Sequence, residues 1–236
     1  MLTNKNLFVK AFKYSVPVLL GYLAIGIAFG LLLVDIGYPW WFALLMSIVM
    51  YAGAGQYIAV GLFASGATIF QVIIVQFVVN ARHIAYGITM LKSFNLSGRY
   101  KPYLIFALTD ETFALLSSMP AIDESKTEAV KDRSRFMFYI SVLDHFYWVT
   151  GSVIGAFAGT IIPFKIDGID FALTALFIVL MIEQIKRVQK ALPFIISALC
   201  AVLTVIFIPE KVSLLSALAV SLLIYQFFDG RNGYNK

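Results

Sequence analysis

The stretch YAGAGQY, Tyr51 to Tyr57, sets two glycines, two alanines and an amide inside an otherwise apolar run. Glycine in a helix interior costs roughly 1 kcal/mol relative to alanine, so this run weakens its own helix. In hydrocarbon, a break frees backbone N–H and C=O groups that protein or cavity water must satisfy. Transporters use such groups: half-helix N-termini hold a substrate carboxylate, and unwound carbonyls hold an ammonium or a cation. Gly53 and Gly55 permit unusual backbone angles, and Gln56 offers both donor and acceptor. All three are candidate substrate-binding residues. The competing reading is close helix packing through small residues, which needs no break.

A second group lies in QFVVNARHIAYG, Gln76 to Gly87. At 100° per residue, Gln76, Asn80, His83 and Gly87 fall within a stripe about 60° wide, a face for a cavity or for another helix rather than for lipid. Gln76, Asn80 and His83 therefore join the substrate-binding candidates. Arg82 points away from this stripe, beside Tyr86 and Thr89, and sits deep enough to require an acidic partner or a water-filled vestibule. The candidates for that partner are Asp110 and Glu111, adjacent in LTDET, and Asp144 in LDHFYW. Carboxylates within a span recur in proton-coupled pumps, so Asp110, Glu111, Asp144 and Arg82 are the proton-coupling candidates; a structural ion pair is the alternative.

His83 and His145 are the two histidines. On separate spans they could hold a haem between them, but no cofactor motif accompanies them, and no cofactor is expected. No nucleophile–base pair or metal cluster is evident, so an enzyme is not expected either. Cys200 is a single cysteine, which excludes an intramolecular disulfide, and it reads as a small apolar residue within a span.

The elements that position these residues follow from composition. Of 236 residues, 61% are hydrophobic and 13% charged, with a mean hydropathy of +0.87. Soluble domains carry about 25% charged residues, so this chain could not cover itself with a polar surface. An all-α polytopic membrane bundle is expected; strand alternation is absent, which argues against a barrel. Apolar segments run from Val16 to Val34, Pro39 to Ala64, Thr68 to Leu91, Pro102 to Met119, Arg135 to Ile162, Gly168 to Ile185, Ala191 to Ile208 and Val212 to Phe228. The charged piece between Ala121 and Arg135 reads as a short amphipathic or irregular cytoplasmic link. No linker divides the chain, so residues 1–236 are expected to form one transmembrane domain, and MLTNKNLFVKAFKYS does not read as a cleavable signal. The net charge of +5 and pI near 9.2 reflect basic residues between spans, not nucleic-acid binding.

Eight full crossings with an inside N-terminus place twelve basic residues inside and five outside, leaving aside Arg82 within a span. If segments 39–64 and 102–119 instead dip in and return, the asymmetry becomes fifteen to two. The positive-inside bias prefers the second arrangement, and both put the two termini in the cytoplasm. The same two segments carry YAGAGQY and LTDET, and paired interrupted spans point to a transporter's binding site. Gly151, Gly155 and Gly159 recur at i+4, as do Gly26 and Gly30, and form smooth faces for helix packing.

In order and spacing, Pro17 before an apolar span, AGAGQY with Gln56, N-x-R-H-x-x-Y-G, the tetrad Thr109 to Thr112 and the run from Asp144 to Gly151 resemble the AzlC-type large subunit of branched-chain amino-acid exporters. The resemblance covers nearly the whole chain, the last two spans in hydropathy alone. It implies a bacterial inner-membrane exporter driven by the proton gradient, with a small four-span AzlD-type partner subunit. It supplies no catalytic list, so the site residues rest on the physical arguments above. They describe a carrier working by alternating access, with a zwitterion near mid-membrane between the YAGAGQ break and the Gln76/Asn80/His83 stripe. The rival readings are a channel built on re-entrant half-helices, a membrane-embedded haem protein, and an assembly subunit with no transport activity of its own.

Overall fold

A computed structural model describes residues 4–120, 126–161 and 192–207, with scattered positions between 178 and 224. All regular structure among the described residues is helical: α1 (Asn4–Asp35), α2 (Trp40–Val49), α3 (Gly53–Ala64), α4 (Ile69–Asn80), α5 (Arg82–Asn95), α6 (Lys101–Phe106), α7 (Asp110–Ser117), α8 (Thr127–Ile161) and α9 (Leu192–Phe207). The chain divides into two compact units, residues 1–61 with 76–170 and residues 62–75 with 171–236.

The first unit is organised around α1 and α8. At 1.5 Å per residue, their 32 and 35 residues reach about 48 and 52 Å, more than a hydrocarbon core of about 30 Å. Buried positions recur at helical spacing on both: Leu7, Ala11, Ser15, Val18, Tyr22, Gly26, Phe29 and Leu33 on α1, and Met137, Ile140, Asp144, Tyr147, Trp148, Gly151 and Gly155 on α8. The expected glycine faces meet each other. A Cβ on Gly26 would stand 3.0 Å from the backbone nitrogen of Ser152, one on Gly30 would run into the backbone of Ser152 and Ala156, and one on Gly155 into the carbonyl of Ile27. The backbones therefore touch, as small residues allow between spanning helices.

The core is mainly apolar, yet it encloses polar groups while large apolar side chains lie outside it. Ser15, Ser47, Gln56, Thr112, Ser141, Asp144 and Ser152 are fully enclosed, while Leu20, Ile69 and Phe77 are 68, 80 and 70% exposed. Polar groups inside and bulky apolar groups outside are stable when the surrounding solvent is lipid. Among the described residues, α1 is by length and composition the one single helix that could cross a membrane, and α4 with α5 passes the same test as a pair bent by 42°.

Three consecutive apolar segments are broken. In segment 39–64 the break is Met50–Ala52, where α2 ends and α3 begins. In 102–119 it is Ala107–Thr109, between α6 and α7. The third break corrects an expectation: segment 68–91 is not one continuous helix but bends at Ala81. Asn80 Nδ2 donates to the carbonyl of Gln76 at 2.9 Å, competing with the helical ladder one turn back. The charged link is also shorter than expected, since α8 already begins at Thr127; residues 121–125 lie outside the described set. In the second unit, Ile196, Cys200 and Thr204 share the buried face of α9, consistent with Cys200 as a packing residue.

Candidate functional site

The first break is held open by side chains. Among the described residues, Tyr51 is the non-glycine residue with a positive φ, at 39°, a conformation that costs an aromatic residue on the order of 1–3 kcal/mol. The unusual angle thus falls on Tyr51 and not on Gly53 or Gly55, as the glycine argument had suggested. Its ring stacks on His145, centroids 4.2 Å apart, and lies 6.3 Å from Phe106 at the end of α6. The Tyr51 hydroxyl is buried and makes no hydrogen bond among the described residues.

Gln56 is fully enclosed and engaged on both sides. Its Oε1 accepts from the indole nitrogen of Trp148 at 2.8 Å and from the backbone nitrogen of Ala52 at 3.3 Å. Its Nε2 donates to Ser47 Oγ at 3.2 Å. The amide thereby ties both half-helices to α8. Gly53 lies under the Trp148 ring, where a Cβ would stand 3.5 Å away. Gly55 faces α4: Gln76 Nε2 donates to its carbonyl at 2.7 Å, and Asn80 Nδ2 donates to Gln76 Oε1 at 3.0 Å. A Cβ on Gly55 would stand 2.7 Å from Gln76 Oε1 and 3.0 Å from Asn80 Nδ2, so glycine there is what lets Gln76, held by Asn80, reach the Gly55 carbonyl.

The break in segment 102–119 is an N-cap. Thr109 has extended backbone and its hydroxyl accepts from the Thr112 backbone nitrogen at 3.3 Å, while Asp110 and Glu111 occupy the first turn of α7 and complement its dipole. Asp110 is the partner that Arg82 requires: Arg82 Nη2 lies 2.9 Å from Asp110 Oδ2, and the Tyr86 hydroxyl donates to Asp110 Oδ1 at 2.6 Å. The pair joins the start of α5 to the start of α7 with both side chains about a quarter exposed. His83 lies beyond the bend from Gln76 and Asn80, its ring 5.9 Å from that of Tyr86.

Glu111 and Asp144 are joined through hydroxyls. The Tyr22 hydroxyl lies 2.8 Å from Glu111 Oε2 and 2.6 Å from Thr109 Oγ1. Thr109 Oγ1 lies 3.1 Å from Thr112 Oγ1, which lies 2.9 Å from Asp144 Oδ2. Glu111 is at the exposed end, and Asp144 is wholly enclosed, its Oδ1 without a hydrogen bond among the described residues.

His145 Nε2 lies 3.0 Å from the Ser47 carbonyl, which can only accept, so this nitrogen carries the proton. Nδ1 contacts the Tyr103 hydroxyl at 3.0 Å. With both nitrogens engaged, His145 directs no lone pair to a haem iron. Among the described residues, no three His, Cys, Asp or Glu side chains gather as metal ligands.

Sequence reasoning missed Tyr22, Ser47, Tyr51, Tyr103, Thr109, Thr112 and Trp148 as site residues. Thr109 carried a signal, since a Thr followed by two acidic residues is a helix-start pattern. Tyr22 lies four residues before Gly26, on the face that meets α8. The remainder depend on contacts between distant segments.

Known proteins similar to this chain carry membrane-protein and transport-protein names. Residues 17–162 match the family model described as AzlC protein. A Helicobacter pylori (strain 26695) protein named "Uncharacterized membrane protein" is 40% identical over 225 residues, covering 94% of this chain and 96% of that one. The "Branched-chain amino acid transport protein AzlC" of Bacillus subtilis is 35% identical over 183 residues, 78% of this chain and 70% of that one. The "Inner membrane protein YgaZ" of Escherichia coli is 26% identical over 189 residues, 78% of this chain and 75% of that one. No solved structure matches.

Proposed function

Since this membrane protein belongs to the AzlC family, we propose that it is the large subunit of a secondary transporter that exports branched-chain or related apolar amino acids. One observation carries the reading: α3 and α7 both begin at mid-segment breaks, and both breaks are tied to the same stretch of α8, through Gln56 to Trp148 and through Thr112 to Asp144. Of two half-helix N-termini on one polar stretch, the one without acidic side chains can bind a carboxylate, and the other can offer its acidic side chains to an ammonium.

The two ends are electrically unlike. The first turn of α3 has no acidic residue, whereas that of α7 has Asp110 and Glu111. The substrate carboxylate is assigned to the α3 side, near Gly53, Gly55, Gln76 and Asn80, and the ammonium to the α7 side, with His83 at the margin of the site. Gln56 enters as the residue that holds the break in shape. Proton coupling through Asp110, Glu111 and Asp144, with Arg82 paired to Asp110, accounts for carboxylates placed at breaks in spanning segments.

A small four-span partner, an inner-membrane location and cytoplasmic termini complete the proposal. The name of the Escherichia coli relative supports the location, and the fifteen-to-two distribution of basic residues supports the termini.

The test is reconstitution of the chain, with any small membrane subunit encoded beside it, into liposomes. Exchange of labelled leucine, isoleucine, valine and methionine is measured with and without an imposed pH gradient. Saturable exchange accelerated by unlabelled substrate on the far side is expected. A flux that neither saturates nor shows counterflow would favour a channel. Unchanged transport by Asn80→Ala and Gln56→Ala, both at normal expression, would remove this site.

A further inference from the structure

We propose that Glu111 and Asp144 hold a single proton between them, delivered along the hydroxyls of Tyr22, Thr109 and Thr112. The inference comes from counting protons. Glu111 Oε2, Tyr22, Thr109, Thr112 and Asp144 Oδ2 form a chain of four oxygen–oxygen contacts, at 2.8, 2.6, 3.1 and 2.9 Å. Each contact needs one proton between its oxygens, because two lone pairs facing at such distances repel. The three hydroxyls supply three protons. One carboxyl must supply the fourth.

With that proton on Glu111, each member donates toward Asp144: Glu111 to Tyr22, Tyr22 to Thr109, Thr109 to Thr112, Thr112 to Asp144. With it on Asp144, every donor reverses. Passing from one state to the other, Glu111 gives its proton to Tyr22 as Tyr22 gives its own to Thr109, Thr109 to Thr112 and Thr112 to Asp144. One proton changes carboxyl and every hydroxyl ends neutral. Thr109 suits a reversible step: its oxygen accepts from the Thr112 backbone nitrogen in both states, donates to one neighbour and accepts from the other. Other interactions of Glu111 do not enter the count, which concerns Oε2 alone.

The chain runs from an exposed carboxyl to an enclosed one through three buried hydroxyls, so a proton entering at Glu111 reaches a site that water does not. Among the described residues, the other titratable groups facing it include Tyr51 at the first break, Tyr103 on α6, His145 and Tyr147 on α8, and the Arg82–Asp110 pair beside Glu111. The role of this proton as coupling ion rests on the proton-coupled reading above; its shared position does not.

The test is infrared spectroscopy of the purified, folded, full-length protein, reading the carboxylic-acid C=O band and its shift in D2O. Glu111→Gln and Asp144→Asn each place an N–H donor at one end of the chain, which supplies the fourth proton and leaves the opposite carboxyl ionised. One carboxyl's intensity is therefore expected to vanish in each variant. Retention of that intensity in Glu111→Gln puts the proton on Asp144 alone, retention in Asp144→Asn puts it on Glu111 alone, and either result overturns the proposal. Should an amide variant fail to fold, Tyr22→Phe replaces it: two contacts and two hydroxyl protons remain on the Asp144 side, so the band is again expected to disappear, and its retention overturns the proposal. In liposomes, wild-type exchange that ignores a pH gradient would overturn the coupling role without changing the infrared result.

Discussion

The indole nitrogen of Trp148 donates to Oε1 of Gln56 at 2.8 Å, fixing the first turn of α3 to the middle of α8 across 92 residues of chain. The same oxygen accepts from Ala52, and the same amide donates to Ser47, so one side chain spans the whole break. Gln56→Leu leaves three buried polar groups short of a partner at once. At about 1–3 kcal/mol for each group left unsatisfied, it is expected to lower the melting temperature in detergent well below that of Trp148→Phe, which removes one donor. Equal melting temperatures for the two variants would show that the break is held by something other than Gln56.

The α1–α8 contact gives a graded series. Gly155→Ala sets a methyl group against the Ile27 carbonyl and is expected to cost at least about 1–3 kcal/mol, the usual range for overpacking. Gly159→Ala meets only Val34 and Leu31 side chains at 3.4 Å or more, and Gly21→Ala meets nothing within 4 Å. Folded yield and thermal stability should fall sharply for Gly155 and stay near wild type for the other two. A uniform response along the series would show that the two backbones do not touch.

Tyr51 should separate stability from transport. Its hydroxyl is buried with no hydrogen bond among the described residues, so Tyr51→Phe keeps the stack on His145 and removes an unsatisfied group, an expected gain of about 1 kcal/mol or more. If the hydroxyl serves the substrate, transport falls at least several-fold in the same variant. A more stable protein with wild-type transport would remove Tyr51 from the substrate site.

The Arg82–Asp110 pair is tested by exchange. Arg82→Asp or Asp110→Arg alone sets like charges against each other at the junction of α5 and α7, and each is expected to reduce transport by more than tenfold. The doubly exchanged protein restores the attraction but not the Tyr86 hydrogen bond to Asp110, so recovery should be partial. Failure of the double exchange to improve on either single variant would mean that Arg82 and Asp110 act separately.

Much of this arrangement is written in local pattern. The α1 and α8 seams follow from helical spacing of small residues, and two of the breaks fall in the segments singled out by YAGAGQY, by LTDET and by basic-residue counting. The break at Ala81 was hidden, because VVNARHIAYG contains neither proline nor a glycine at the bend; the Asn80 side chain, bonding one turn back, is a choice that composition does not reveal. Arg82 announced its need for an acid, but three candidates satisfied it until the fold selected Asp110. Tyr22 and Tyr51 resemble the other aromatic residues of an apolar chain. Their places depend on which segments meet, and that information is spread over the whole sequence.

The short helices α6 and α7 bear on how the protein is made. With six and eight residues, each is far below the roughly 12–15 at which an isolated helix holds together in water, and neither alone reaches across a bilayer. The polar ends exposed at their junction are matched by Tyr22, already synthesised, and by Asp144, which leaves the ribosome more than thirty residues after Thr109. During synthesis the polar junction therefore gains its Asp144 partner only after α8 has been made, and variants at Asp144 are expected to be produced in lower amounts.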